Sequence, residues 1–188
     1  ESYTLDTFLP AIARGGSLDA SSRTAVASQA AQYSGLSAEV FEDHSLNVST
    51  SFFCKDLLRD EDLTVGRLDS RYRGSDKQNA GERYDYGPAM SAWNHAFAPA
   101  INHYLREVLE YDTSLQYNVF GPVHPWNRDG DKTGENLRSA MAQNPNLYLF
   151  VQSGYFDGGT DYFNAKYTMW NLDPSGRLQD RMTWEGYE

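Results

Sequence analysis

Apolar positions in the first half of the chain recur at three- and four-residue steps and are interrupted by short polar punctuation. This pattern predicts a series of short helices. Leu5, Phe8, Leu9 and Ile12 share one face, and Gly15-Gly16 stops the run. Asp19 is placed to cap a second helix that runs through Ala31 and is ended by Gly35. Ser37 caps a brief third helix carrying Val40 and Phe41, and Ser49 a fourth with Phe52, Phe53, Leu57 and Leu58 on its apolar side. None is long enough to be stable alone, so together they are expected to form a packed helical layer.

The pattern then changes. Arg59-Asp60-Glu61-Asp62 reads as a solvated charge run, and Val65, Leu68 and Tyr72 punctuate an extended stretch. Residues 74–86 are polar and contain glycine, which predicts a loop. Pro88 suits the first turn of a long helix whose buried stripe is Met90, Trp93, Phe97, Ile101, Leu105 and Leu109, with a kink expected at Pro99. Beyond it the period alternates. Strands are predicted at 117–120, 147–153 and 181–187, with helices at 134–143 and 161–172 between them. Strand, helix, strand, helix, strand predicts a parallel sheet with crossover helices, so the fold class is α/β. We find no internal repeat and no low-complexity segment.

Composition narrows the function classes. The chain has 188 residues, enough to bury a core, and 16 Lys+Arg against 26 Asp+Glu give a formal charge of −10. A chain this acidic repels phosphate backbones, so nucleic acid is not an expected partner. Aromatic content of 14% argues against a disordered acidic tail. The longest apolar run, Leu147 to Val151, is strand-sized, and no membrane span is expected. The lone Cys54 excludes an intrachain disulfide and any multi-cysteine metal site. Cys54 is expected to be a small core residue.

Functional groups in open α/β sheets gather in loops at the carboxyl ends of strands. The loop after Ser153 reads Gly154-Tyr155-Phe156-Asp157-Gly158-Gly159-Thr160-Asp161. Asp161 is best read as the cap of the following helix. Asp157 admits two readings, a turn former or a strand-end carboxylate of the kind that orients a histidine in a hydrolase triad. The Gly-x-Ser-x-Gly elbow of a serine nucleophile does not occur in the chain. His44, His95, His103 and His124 lack metal-pair or triad spacing and read as surface or packing residues. From Asn127 an EF-hand would need Gly and Glu where Lys132 and Arg138 stand, so a solvated turn is expected there instead. Arg67, Arg71 and Arg73, interrupted by Asp69 and Asp76, read as a salt-bridged loop.

An ordered series of segments resembles the serine carboxypeptidases of peptidase family S10, and in particular their bacterial branch. Asn144-Pro145-Asn146-Leu147 through Ser153-Gly154-Tyr155-Phe156-Asp157, followed by Tyr162-Phe163-Asn164-Ala165 and Tyr167-Thr168, is similar to the acid-loop region. Tyr33 to Ser37, Leu57 to Asp60, Val65 to Tyr72 and the closing Glu185 to Glu188 extend the resemblance over nearly the whole chain. The resemblance implies a fragment of an α/β-hydrolase fold. A mostly helical insertion, or lid, would cover residues 1–110, and the C-terminal part of the core residues 111–188. It implies hydrolysis of peptide C-termini by a Ser-Asp-His triad, with no metal or other cofactor. Asp157 falls on the triad aspartate. The family's serine elbow lies upstream of its insertion and its histidine just after the segment matched by Glu185 to Glu188, so the chain holds one triad member and is expected to be inactive alone. Tyr155 departs from the eukaryotic pattern, which places an acidic residue early in this loop, and one cysteine cannot form the disulfides of the eukaryotic insertion.

The missing initiator Met gives the expectation that the chain is an excerpt or a processed form. The resemblance favours a periplasmic or secreted location, while the residues themselves leave compartment and oligomeric state open. Two other readings stay open. One is a non-catalytic binding module using aromatic residues such as Trp93, Trp126 and Tyr155; the other is the same core used for ester hydrolysis or acyl transfer.

Overall fold

The computed structural model describes residues 1–119, 121, 125 and 127–188, which divide into two units, Glu1–Ala89 and Met90–Glu188. Local capping chemistry sets the helices of the first unit. Helix α1 (Leu9–Arg14) follows a π-helical turn, Thr4–Phe8, in which the Leu9 amide reaches back to the Thr4 carbonyl. Pro10 has no amide for the Asp6 carbonyl, and the wider turn sits directly before it. Helix α2 (Ala20–Ser34) starts where Asp19 Oδ1 accepts from the Ser22 amide at 2.9 Å. It ends at Gly35, whose φ of 82° is the left-handed geometry such a stop requires. Helices α3 (Ala38–Asp43) and α4 (Thr50–Asp56) are capped by the hydroxyls of Ser37 and Ser49.

These helices enclose one apolar cluster of Ala11, Leu18, Val26, Ala27, Ala30, Leu36, Phe41 and Leu46. Leu46 sits at a φ of 67°, a strained region for a branched residue, and stays there because its side chain is 2% exposed. His44 packs its ring 4.3 Å from that of Phe52, and its Nδ1 lies 2.8 Å from the Val40 carbonyl oxygen, as expected of a packing histidine. Cys54 is buried among these elements.

Helix α4 also supplies what the apolar pattern conceals. Lys55 is 1% exposed, and its Nζ donates to Asp76 Oδ2 at 2.6 Å and to the Gln78 carbonyl at 2.5 Å. Strands β1 (Thr64–Val65) and β2 (Arg73–Gly74) form a small antiparallel pair, and residues 75–87 leave it as a loop. The expected salt-bridged arginine loop is corrected in part. Arg71 chelates Asp69, but Asp76 turns away to Lys55, because a buried ammonium needs a carboxylate. In the charge run Asp60, Glu61 and Asp62 are solvated, whereas Arg59 holds the carbonyls of Asn79 and Gly81.

Helix α5 (Pro88–His103) continues through Pro99 into a π-helical turn, Tyr104–Val108. Its expected stripe is only partly covered. Met90, Trp93, Ile101 and Leu105 are half-buried, while Phe97 and Leu109 remain 52% and 54% exposed. The strand expected from Tyr117 is absent over 117–119, and Phe120 lies outside the described residues. The cause is local. The Asn102 side chain accepts from the Tyr117 amide at 3.1 Å and donates to its carbonyl at 3.4 Å, so that residue's ladder groups are already occupied.

From Thr133 onward the second unit forms a strand–helix–strand unit preceded by one helix. Strands β3 (Leu149–Gly154) and β4 (Met182–Tyr187) pair in parallel, with Leu149 opposite Met182 and Gly154 opposite Tyr187. Helices α6 (Thr133–Gln143) and α7 (Tyr162–Leu172) accompany them. Met141, Met169, Leu178 and Met182 form the core, joined by Leu149, Val151 and Trp184 from one face of the pair. The other face exposes Phe150, Gln152, Thr183, Glu185 and Tyr187. Among the described residues no helix is long and apolar enough to cross a membrane.

Candidate functional site

Parallel pairing sends the carboxyl ends of β3 and β4 to the same edge. The loop leaving β3 therefore begins beside the end of β4, and the Tyr155 amide extends the ladder by one bond to the Tyr187 carbonyl at 2.9 Å. Asp157 follows two residues later, half-buried. Its Oδ1 accepts from the backbone amides of Gly159 at 2.7 Å and Thr160 at 3.0 Å. Among the described residues its second oxygen, Oδ2, accepts nothing. Asp157 thus shapes the turn with one oxygen and leaves the other available. Ser153 is 5% exposed on β3, and its hydroxyl donates to the Thr160 carbonyl at 3.2 Å. Asp161 does what its position suggested, with Oδ1 accepting from the Asn164 amide at 2.8 Å to cap α7.

An aromatic file covers this edge. The rings of Tyr155 and Tyr162 lie 5.0 Å apart, and that of Tyr162 meets Trp184 edge-on at 4.5 Å. Lys166 Nζ lies 4.9 Å from the Trp184 ring and 5.2 Å from that of Trp170, within cation–π range. Gly186 permits this packing, because a Cβ there would fall 2.6 Å from the Tyr155 ring and 2.7 Å from that of Tyr162. The Trp184 indole N–H is buried with no hydrogen-bond partner among the described residues.

Two further side chains fasten the segments that lead into the strands. Asp173 accepts from the Ser175 hydroxyl and the Leu178 amide, each at 2.6 Å. These bonds, the Ser175 one first, hold its carboxyl below the ordinary carboxylate range. Arg181 donates to the Met141 and Asn144 carbonyls at 2.8 Å and to that of Leu147 at 3.1 Å, which satisfies the open end of α6 at the foot of β4. The Arg181 partnerships have no local sequence signal, whereas Asp173 opens an Asp-Pro-Ser-Gly turn. Elsewhere at this edge the Gly at 186 and the polar residue at 153 within an apolar strand were the nearest to a signal.

The remaining candidates lie elsewhere. Trp93 sits on α5 with its ring 6.2 Å from that of Phe97, while Tyr155 stacks in the β3–α7 loop, and His124 and Trp126 lie outside the described residues. His95 Nδ1 lies 2.6 Å from the Ser91 carbonyl oxygen. Residues 127–133 form consecutive Asx turns, with the Asp129 amide on Asn127 and the Thr133 amide on Asp131. Among the described residues no group of three or more His, Cys, Asp or Glu side chains is placed to hold a metal ion.

What fold and site define together is a mixed helix–sheet protein whose second unit carries a parallel strand–helix–strand element with a carboxylate loop at its carboxyl edge. No family model, no curated protein and no solved structure matches this chain.

Proposed function

We propose that this chain is part of a serine-type carboxypeptidase of the S10 kind, in which Asp157 is the acid of a Ser-Asp-His triad. The observation that carries this reading is the half-committed carboxylate. Two backbone amides fix Asp157 Oδ1 at the end of a parallel strand, while Oδ2 is left to accept an imidazole N–H. A carboxylate so held selects the histidine tautomer and stabilises the imidazolium that forms when serine is deprotonated. The edge geometry supports the same reading, because chain leaving β4 emerges beside the Asp157 loop. Parallel strands are ordinarily covered on both faces, and the exposed Phe150 and Tyr187 suit a sheet that further core elements complete.

On this reading residues 1–110 belong to a helical lid and residues 111–188 to the returning α/β-hydrolase core. The substrate is a peptide or protein C-terminus, and the nucleophile and base come from sequence outside these residues. The 188-residue chain alone should show no peptidase activity. The test is release of C-terminal residues from peptides by the intact protein, with Asp157→Ala as the control. Turnover should fall about 10⁴-fold in that variant. Near-normal turnover would remove Asp157 from the triad, and activity confined to esters or acyl acceptors would replace the peptidase reading with its acyl-transfer relative.

A further inference from the structure

The covered face of β3 presents Leu149, Val151 and then Ser153 in alternation. At that register an apolar side chain would bury more surface, and a buried hydroxyl costs stability unless it is bonded. The Ser153 hydroxyl is bonded, but outside its own strand, to the carbonyl of Thr160 at the far end of the loop. The amide of the same Thr160 is one of the two that hold Asp157 Oδ1. The loop is therefore clamped at both ends, at Tyr155 by the Tyr187 carbonyl and at Thr160 by Ser153.

We propose that Ser153 is a positioning residue for Asp157: its hydroxyl anchors Thr160 to strand β3, and Thr160 in turn fixes the carboxylate so that Oδ2 faces the histidine. This rests on the assignment of Asp157 as the triad acid. Without the anchor, Thr160 and Gly159 lose their fixed distance to Oδ1, the carboxylate rotates, and the imidazolium loses part of its partner. Substrate contacts are untouched, so the loss falls on turnover and not on binding.

The experiment uses the intact enzyme and three variants, Ser153→Ala, Ser153→Cys and Asp157→Asn, with kcat and KM measured across pH. Ser153→Ala should lower kcat about tenfold with KM within about twofold. The acidic limb of its kcat/KM profile should move to lower pH by about half a unit, because a weakened carboxylate supports the imidazolium less. A variant that is merely less folded scales the whole profile and leaves the limb in place. Should alanine impair folding, Ser153→Cys fills the site with a somewhat larger side chain and a much weaker donor, and it must still shift the limb. An unmoved limb in the folded Ser153 variants, with Asp157→Asn inactive, overturns the role of Ser153 alone. An Asp157→Asn enzyme with near-normal turnover overturns the acid assignment and the role of Ser153 with it.

Discussion

The strongest stability prediction concerns Lys55, an ammonium with 1% side-chain exposure beside a carboxylate, Asp76, with 2%. At 2.6 Å the pair attracts by roughly 6 kcal/mol at an effective dielectric of about 20, and desolvation of both ions offsets much of that gain. The pair as a whole is therefore worth little, but each half is costly without the other. Lys55→Met keeps the aliphatic stem and removes the charge, leaving the Asp76 carboxylate and the Gln78 carbonyl without their donor. The expected loss is about 3–5 kcal/mol. Adding Asp76→Leu removes the stranded charge and should recover most of it, less about 1 kcal/mol for the bond that Asp76 Oδ1 accepts from the Asp85 amide. Because the chain divides into two units, a single melting curve does not isolate this effect. Amide hydrogen exchange does. The amides of Leu57 and Gly66, bonded to the Phe53 and Tyr72 carbonyls, report on the first unit directly. Where they exchange by opening of that unit, Lys55→Met should speed them by about 10²–10³-fold or more. Acceleration of less than about fivefold, or a double variant no better than the single, would refute the reasoning.

The Asp173 carboxyl is held below its ordinary range by Ser175 and the Leu178 amide, so its contribution is present above the unfolded value of about 3.9 and is lost as pH falls through the folded value. Exchange protection in β4 should decline as pH drops below about 4, and Asp173→Asn should flatten that decline; an unchanged slope would count against it. Burial pushes the Cys54 thiol up, with the Arg67 charge acting against it, so Cys54 should resist alkylation at about pH 8 until urea opens the first unit. Labelling of the folded protein at the rate of an unfolded cysteine would contradict its burial.

Much of the helical layer was legible because its signals are local. Asp19, Ser37, Ser49 and Asp161 each cap the helix that their position suggested, since a cap needs only a short polar side chain three residues before an open amide. The apolar run that begins at Leu147 was equally direct, and it gave a strand, Leu149–Gly154, whose burial alternates along its length. The stripe on α5 failed for the opposite reason. Helical spacing shows that a face is apolar, not that anything covers it, and Phe97 and Leu109 remain exposed.

The illegible features share one physical cause. Lys55, Asn102, Ser153 and Arg181 serve backbone groups brought close by the fold, and no local pattern marks a carbonyl as needing a donor. Ser153 and Arg181 fall in predicted strands, and nothing in the sequence sets Lys55 or Asn102 apart from other polar residues. Asn102 is the most instructive, because its amide occupies the Tyr117 backbone and so removes a strand that the residues around 117 otherwise favour. The same principle orders the site. Asp157 was visible as a strand-end carboxylate, but which of its oxygens is committed depends on Gly159 and Thr160, and the place of Thr160 depends on a hydroxyl one strand residue before the loop. On the proposed reading Asp157 must hold direction as well as charge, and that direction comes from backbone donors that composition and periodicity do not register.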